Sequence, residues 1–149
     1  MAYNFFAPQP GRLGTLPIQL NSGRINTGTL AAGTQNHSIA ASPTKVFFNK
    51  ACIVAGTFPT AATSCTAQLI KLTGATTTAL TNALDINAKT ANVPLQFTLV
   101  STLSDTDRTI NVGDSIRLAI VTTGSVSVQP DDVNANVEVL VLQYPREND

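Results

Sequence analysis

Ionisable and aromatic side chains are scarce in this chain of 149 residues. Charged residues make up only 12%, about half the usual share, and nine Lys and Arg balance nine Asp and Glu. The sequence has a single His, two Cys and no Trp. Because catalysis and metal binding need several such groups to converge, we expect no enzymatic activity, no cofactor and no metal.

Two further absences concern partners. A nucleic-acid-binding surface needs a basic excess or a basic stripe, and the balanced, scattered charges provide neither. No apolar run approaches the length of about 18 residues that spans a bilayer, and residues 1–6 lack the basic start and apolar stretch of a signal peptide. We therefore expect no nucleic-acid partner, no membrane association and synthesis in the cytoplasm without a cleaved leader.

What the chain does contain is enough apolar material for one core. Hydrophobic residues make up 43%, and the formal net charge is 0. A disordered chain shows the opposite combination of low hydrophobicity and high net charge. At this length we expect a single folded domain with a short appendage at each end.

The first 24 residues predict an extended arm. Pro8, Pro10 and Pro17 each remove a backbone donor and fix φ, so we expect neither a helix nor a central strand there. Apolar side chains are nevertheless spread along the arm, and they gain stability only when a surface covers them. The candidate partner-contact residues are Tyr3, Phe5, Phe6, Leu13, Leu16, Ile18 and Leu20. Two alternatives stay open, since the arm could fold back over its own domain or reach another protein.

Residues 25–144 have a β pattern. Thr, Val, Ile, Ala and Ser alternate between polar and apolar in short runs, and Gly, Pro, Asn and Asp separate the runs. Strands are predicted at residues 28–32, 37–40, 45–56, 64–73, 76–80, 93–100, 115–122 and 133–144, with a weak helical turn near 80–86. This succession predicts an all-β fold, a single antiparallel β-sandwich of jelly-roll type, followed by a frayed tail at 145–149.

The run at residues 45–56 is apolar on both faces, which predicts a central strand. Strict alternation puts Val46, Phe48, Cys52 and Val54 on one face and Phe47, Ala51, Ile53 and Ala55 on the other. In the last strand, alternation predicts one apolar face formed by Val133, Ala135, Val137, Val139 and Val141.

The few reactive residues have ordinary structural interpretations. His37 lies in a polar segment and is interpreted as a surface or strand-end histidine. Cys52 and Cys65 fall on neighbouring predicted strands, where a disulfide is geometrically allowed, but we favour two free, partly buried thiols.

Carboxylates cluster at Asp105 with Asp107 and at Asp131 with Asp132. Such pairs in loops can contribute to a Ca²⁺ site, but Asp in a turn usually accepts hydrogen bonds from the local backbone, and we favour that role. Asp114, directly after a glycine, is expected to shape the turn before its strand.

Three stretches carry a resemblance to a known family. They are LDI at 84–86, TANVPLQFTL at 90–99 and DRTINVGDSIRL at 107–118, and an alternating Val-rich strand follows them. In these strand and turn types the chain resembles small jelly-roll proteins of tailed bacteriophage heads, the capsid decoration or cement proteins. The resemblance extends over residues 28–144.

The resemblance implies a homo-oligomer, typically a trimer, on the exterior of the capsid in the virion, where it stabilises contacts between major capsid proteins. Arms that cross to a neighbour are common in that family, and residues 3–20 suit such a role. The alternative is a receptor- or glycan-binding module of a phage tail or fibre, which would use the loops at 57–63, 101–108 and 123–132.

Overall fold

The computed structural model describes residues 14–41 and 44–143, and it forms a sandwich of two antiparallel sheets. The elements in chain order are β1 (Gly14–Asn21), β2 (Gly33–Ala41), β3 (Val46–Val54), β4 (Thr60–Ala61), β5 (Ser64–Thr73), β6 (Thr76–Ala79), β7 (Leu84–Asp85), β8 (Leu95–Gln96), α1 (Asp105–Arg108), β9 (Thr109–Ile110), β10 (Ser115–Thr123), β11 (Val126–Val128) and β12 (Asn134–Gln143).

Of the six long strands, β1, β3 and β12 belong to one sheet and β2, β5 and β10 to the other. One sheet has the order β1, β12, β3, β8, with β9 also paired to β3, and the other has β2, β10, β5, β6, with β7 also paired to β5. The short strands β4 and β11 pair with each other. This wrapping of the chain is that of a jelly roll, and the predicted all-β antiparallel sandwich is confirmed.

Alternating side chains of the central strands form the core. In β12 the buried residues are Ala135, Val137 and Val139, as the alternation predicts. β10 supplies Ile116, Leu118 and Ile120 from the facing sheet, each at most 1% exposed. Successive side chains of a strand point to opposite faces, so one face of each sheet packs into the core and is removed from water.

β3 is a central strand, as predicted, but its predicted faces are wrong beyond Asn49. The ladder with β12 shifts there, because Glu138 pairs with Lys50 while the next residue pairs with Phe48. The extra residue forms a β-bulge, which reverses the alternation. The core-facing side chains are therefore Val46, Phe48, Ala51 and Ile53, and Phe47, Cys52 and Val54 lie on the outer face.

Three local predictions are wrong because hydrogen bonds to other parts of the chain determine the backbone conformation there. Residues 28–32 form a loop, in which the Gln129 side chain accepts from Leu30 N (2.8 Å) and donates to Leu30 O (3.1 Å) in place of a neighbouring strand. The helical turn near 80–86 is β7 and a bridge from Thr81 to Leu99. In the stretch 93–100, only β8 is a strand.

Residues 14–21 of the predicted arm are the edge strand β1, which pairs with β12 along its whole length. Ser22 N donates to Ala135 O (2.9 Å), and hydrogen-bonded pairs alternate along an antiparallel ladder. Pro17 therefore turns its backbone nitrogen toward the open edge, where a missing N–H weakens no pairing. In this part of the arm the chain lies against its own domain, and residues 1–13 lie outside the described residues.

A buried hydroxyl completes the ladder of β5 where β6 ends. Thr81 is 1% exposed, and its Oγ1 accepts a hydrogen bond from Leu69 N at 3.0 Å. The Leu80 and Thr81 amides both donate to Leu69 O. The Thr81 side chain thus takes the place of a strand carbonyl for a buried amide.

We expect Thr81→Val to lower the free energy of unfolding by about 1–3 kcal/mol, because the buried Leu69 amide loses its acceptor. Thr122 is a matched control, since it is 3% exposed and its hydroxyl meets only the Cys65 thiol at 3.5 Å. Thr122→Val should have an effect below about 1 kcal/mol. Urea unfolding of the two variants tests this, and equal losses would contradict the assigned role.

Pro17→Val should restore an outward N–H on the edge of β1 and promote edge-to-edge association of copies. Light scattering at increasing concentration should then show a higher mass than the parent protein. Pro94→Val, at an exposed position outside the strands, is the control. An unchanged mass for Pro17→Val would show that the proline does not protect this edge.

Candidate functional site

The two ends of the sandwich differ. At the arm end, defined by the start of β1, the end of β12 and α1, Gly14 pairs with Gln143 and Val46 pairs with both Val141 and Ile110. Residues 1–13 and 144–149 therefore attach to the domain at this end. At the loop end, the loops 22–32, 55–59 and 124–133 come together.

Three of the predicted partner-contact residues lie on β1. Leu16, Ile18 and Leu20 face the core side of the sheet, because their register partners on β12 do so. Leu16 and Ile18 are still 37% exposed, since β1 is an edge strand, whereas Leu20 is half-buried and packs against the core. Tyr3, Phe5, Phe6 and Leu13 lie outside the described residues.

The short helix α1, in a stretch that the sequence analysis treated as the loop 101–108, is anchored at the arm end. Lys71 is 7% exposed, and its Nζ donates to Thr106 O (3.2 Å) and Thr109 O (3.1 Å). Arg108 Nε donates to Phe48 O (3.1 Å), and the Arg108 guanidinium lies 4.4 Å from the centre of the Phe47 ring. These contacts hold α1 against both sheets.

The loop end is joined by backbone hydrogen bonds. Thr57 and Asp131 exchange two, at 3.1 and 3.0 Å, and Ala62 N donates to Ser125 O at 2.8 Å. A concavity of about 340 Å³ lies between residues 24–28 and 130–132, beside an exposed ion pair of Arg24 with Asp131. Of the loops predicted for a receptor-binding module, 57–63 and 123–132 meet here, but 101–108 lies at the arm end.

His37 faces the core side of β2, because its register partner Leu118 is fully buried. It is thus neither on the outer surface nor at the end of its strand, and the predicted placement is wrong. Burial lowers the pKa of His37, and its Nε2 has no hydrogen-bond partner among the described residues. Within residues 14–41 and 44–143, no three His, Cys, Asp or Glu side chains are grouped so that they could hold a metal ion.

The prediction of two free thiols is confirmed. Cys65 faces the core, where burial raises the pKa of its thiol. Cys52 is half-buried on the outer face of the other sheet, because the bulge in β3 reverses the side that it faces. The Cys65 thiol therefore lies between the two sheets, whereas the Cys52 thiol lies on the outside of the sandwich.

Of the paired carboxylates, Asp107 has the local role favoured from the sequence, whereas the Asp131 carboxylate accepts a hydrogen bond from Arg24, 107 residues away. Asp107 accepts from the Ser104 hydroxyl (2.8 Å) and the Ser104 amide (3.0 Å) at the start of α1, and these bonds lower the pKa of Asp107. Asp132 has a φ of +50° in the turn before β12. Asp114 is buried and accepts from Asn111 N at 2.9 Å, so it shapes the turn as predicted.

A polar concavity on the outer face of the β1–β12–β3–β8 sheet was missed by the sequence analysis. It has a volume of about 170 Å³ and is lined by Gln19, Lys50, Ala51, Cys52, Gln96, Asn136 and Glu138. One feature of the sequence could have indicated this concavity. It is the row of polar side chains at the outward positions of the last strand, Asn134, Asn136 and Glu138. The partners of these residues are on strands far away in the chain.

In the part of the chain that the structure describes, no helix is long and apolar enough to cross a membrane.

No family model matches the chain. No curated protein matches it in sequence either. Among solved structures, the chain is similar to one in the structure of the infectious bursal disease virus Gx strain, with 16% identity and a TM-score of 0.44 over 89% of this chain and 32% of that one. The N-terminal cellulose-binding domain from Cellulomonas fimi β-1,4-glucanase C is similar at 15% identity and a TM-score of 0.26, over 87% and 90% of the two chains.

The chain spans about a third of the length of the matched chain from the virus structure. Both likenesses concern the β-sandwich fold alone.

The stability of the protein should fall as the pH is lowered through the ordinary His pKa of 6.5, because the unfolded chain then binds a proton that the half-buried native His37 resists. The fall should end below the lowered native pKa. Asp85 and Asp107, whose pKa values are also lowered, lose their contribution at more acidic pH, below 3.8. Unfolding of wild type and His37→Gln at about pH 7.5 and about pH 5 tests this, and equal losses in both proteins would contradict it.

Proposed function

We propose that this protein is a structural virion protein, a decoration or cement protein that binds the outside of a bacteriophage capsid. It would act as a homo-oligomer, a trimer, and stabilise contacts between major capsid proteins. The bacteriophage assignment comes from the resemblance of residues 28–144 to this family, and the contacts below support a docking role.

The observation that carries the proposal is the exposure of apolar side chains at the arm end. Leu16 and Ile18 lie on the strand that leads directly back to residues 1–13, which contain four further apolar candidates. Val112, in the turn before β10 at the same end, is 69% exposed. Burying such side chains against another protein is favourable, so this end is suited to docking.

The low charge supports the same role. Burying neutral Thr, Ser, Asn and Gln side chains against a partner involves a smaller desolvation penalty than burying ions. A chain with net charge 0 also has little electrostatic protection against association with its own copies. Many copies on one shell would add modest single contacts into a large total stabilisation.

The arm is tested by removing residues 1–13, so that the chain starts at Gly14. A deletion to Asn21 would remove the edge strand and disturb the sheet. We expect the shortened protein to bind empty shells of the major capsid protein from the same genome at least about tenfold more weakly, since removal of buried anchor residues costs more than about 1.4 kcal/mol. Co-sedimentation measures binding, and light scattering gives the oligomer mass.

Matched substitutions locate the docking surface. Val112→Asn at the arm end should weaken shell binding, while Val93→Asn, 45% exposed in the loop 86–94, should leave it unchanged. Full binding by the protein without residues 1–13, or a full-length monomer that does not sediment with shells, would overturn the proposal.

A second candidate is the receptor-binding module of a phage tail or fibre. The loops 57–63 and 123–132 favour it, because they meet at the loop end beside a concavity of about 340 Å³. For this module we expect the reverse result: Arg24→Ala would impair binding to host cells, and the removal of residues 1–13 would not.

A further inference from the structure

The 170 Å³ concavity on the outer sheet face is built from four neighbouring strands. Gln19 is on β1, Asn136 and Glu138 are on β12, Cys52 is on β3 and Gln96 is on β8. The bulge at Asn49 shapes it, because it makes both Asn49 and Lys50 available to Glu138.

Glu138 fixes one side of this concavity. Its Oε2 accepts from Gln19 Nε2 at 2.8 Å, and its Oε1 accepts from Asn49 Nδ2 at 2.6 Å. Lys50 Nζ lies 3.7 Å from Oε2, and the Glu138 side chain is only 15% exposed. The carboxylate is thus held by two amides and balanced by one cation, so the concavity carries little net charge.

Three amide groups keep hydrogen-bonding capacity for a ligand. Asn136 Oδ1 accepts from Asn21 Nδ2 at 2.6 Å, which leaves the Asn136 amide nitrogen as a donor, and the bond to Glu138 leaves the Gln19 carbonyl oxygen as an acceptor. The Gln96 side chain has no hydrogen-bond partner among the described residues. Two of these three amides are therefore oriented in advance, and together they offer both donors and acceptors.

We propose that this concavity binds one pyranose ring of a neutral glycan. Sugar hydroxyls both donate and accept, which matches the mixed amides from three strands. The Glu138 carboxylate disfavours an anion, and its pairing with Lys50 leaves no free charge to attract a cation. The volume of about 170 Å³ suits a single sugar ring.

The contact should be weak for one copy. None of the residues that line the concavity is aromatic, so the ring gains hydrogen bonds without a stacking partner. We expect a dissociation constant of about 1 mM for a monosaccharide. The concavity lies in the half of the sheet nearer the loop end, so it stays open when the arm end is covered, and the proposal does not depend on capsid binding.

Proton–nitrogen correlation spectra of the full ¹⁵N-labelled chain test the site. The probes are glucose, galactose, mannose and N-acetylglucosamine, titrated well above the expected dissociation constant, with N-acetylglycinamide as a neutral amide that is not a sugar. At least one sugar should cause saturable shifts of the side-chain NH₂ signals of Gln19, Gln96 and Asn136. Absence of such shifts with all four sugars, or equal shifts with N-acetylglycinamide, would overturn the proposal.

Substitutions then assign the shifts to this surface. Gln96→Ala should weaken the binding by about tenfold, because the ligand loses a direct amide contact and the domain loses none of its own hydrogen bonds. Asn36→Ala is the matched control, an exposed amide on β2 in the other sheet. Binding that is unchanged by Gln96→Ala, or equally weakened by Asn36→Ala, would contradict the assignment.

Discussion

The strand β12 joins β1 and β3 into one sheet. β12 lies between β1 and β3, so residues 134–143 supply a hydrogen-bonded neighbour to strands that begin at Gly14 and Val46. Its inward side chains are also part of the core. Because these contacts join the two ends of the sequence, the sheet forms only when most of the chain is present, and its folding depends on non-local pairing.

The same strand positions both surfaces for which binding is proposed. Its inward face sets the side to which Leu16 and Ile18 turn, and its end pairs with the start of β1 at the arm end. Its outward face carries Asn136 and Glu138, which orient the amides of the polar concavity. One strand therefore separates an apolar docking end from a polar sheet face, and the two can be occupied independently.

Local pattern was a good guide wherever a strand was long and regular. The apolar alternation predicted for β12 is correct, since burial of one face imposes a period of two. It failed beyond Asn49, where one extra residue reverses the faces and moves Cys52 outward. It also failed at Leu30 and Thr81, where the Gln129 side chain and the Leu69 backbone supply hydrogen bonds from distant parts of the chain.

The sequence by itself determined the class of fold, the inward apolar face of β12 and the low charge that suits protein contact, because these follow from composition and short-range alternation. Only the tertiary structure decided that residues 14–21 are an edge strand and that α1 lies apart from the loop end. It alone brought Gln19 to Glu138 across 119 residues. Register between distant strands depends on bulges and on simultaneous packing of both sheets, and no local pattern contains that information.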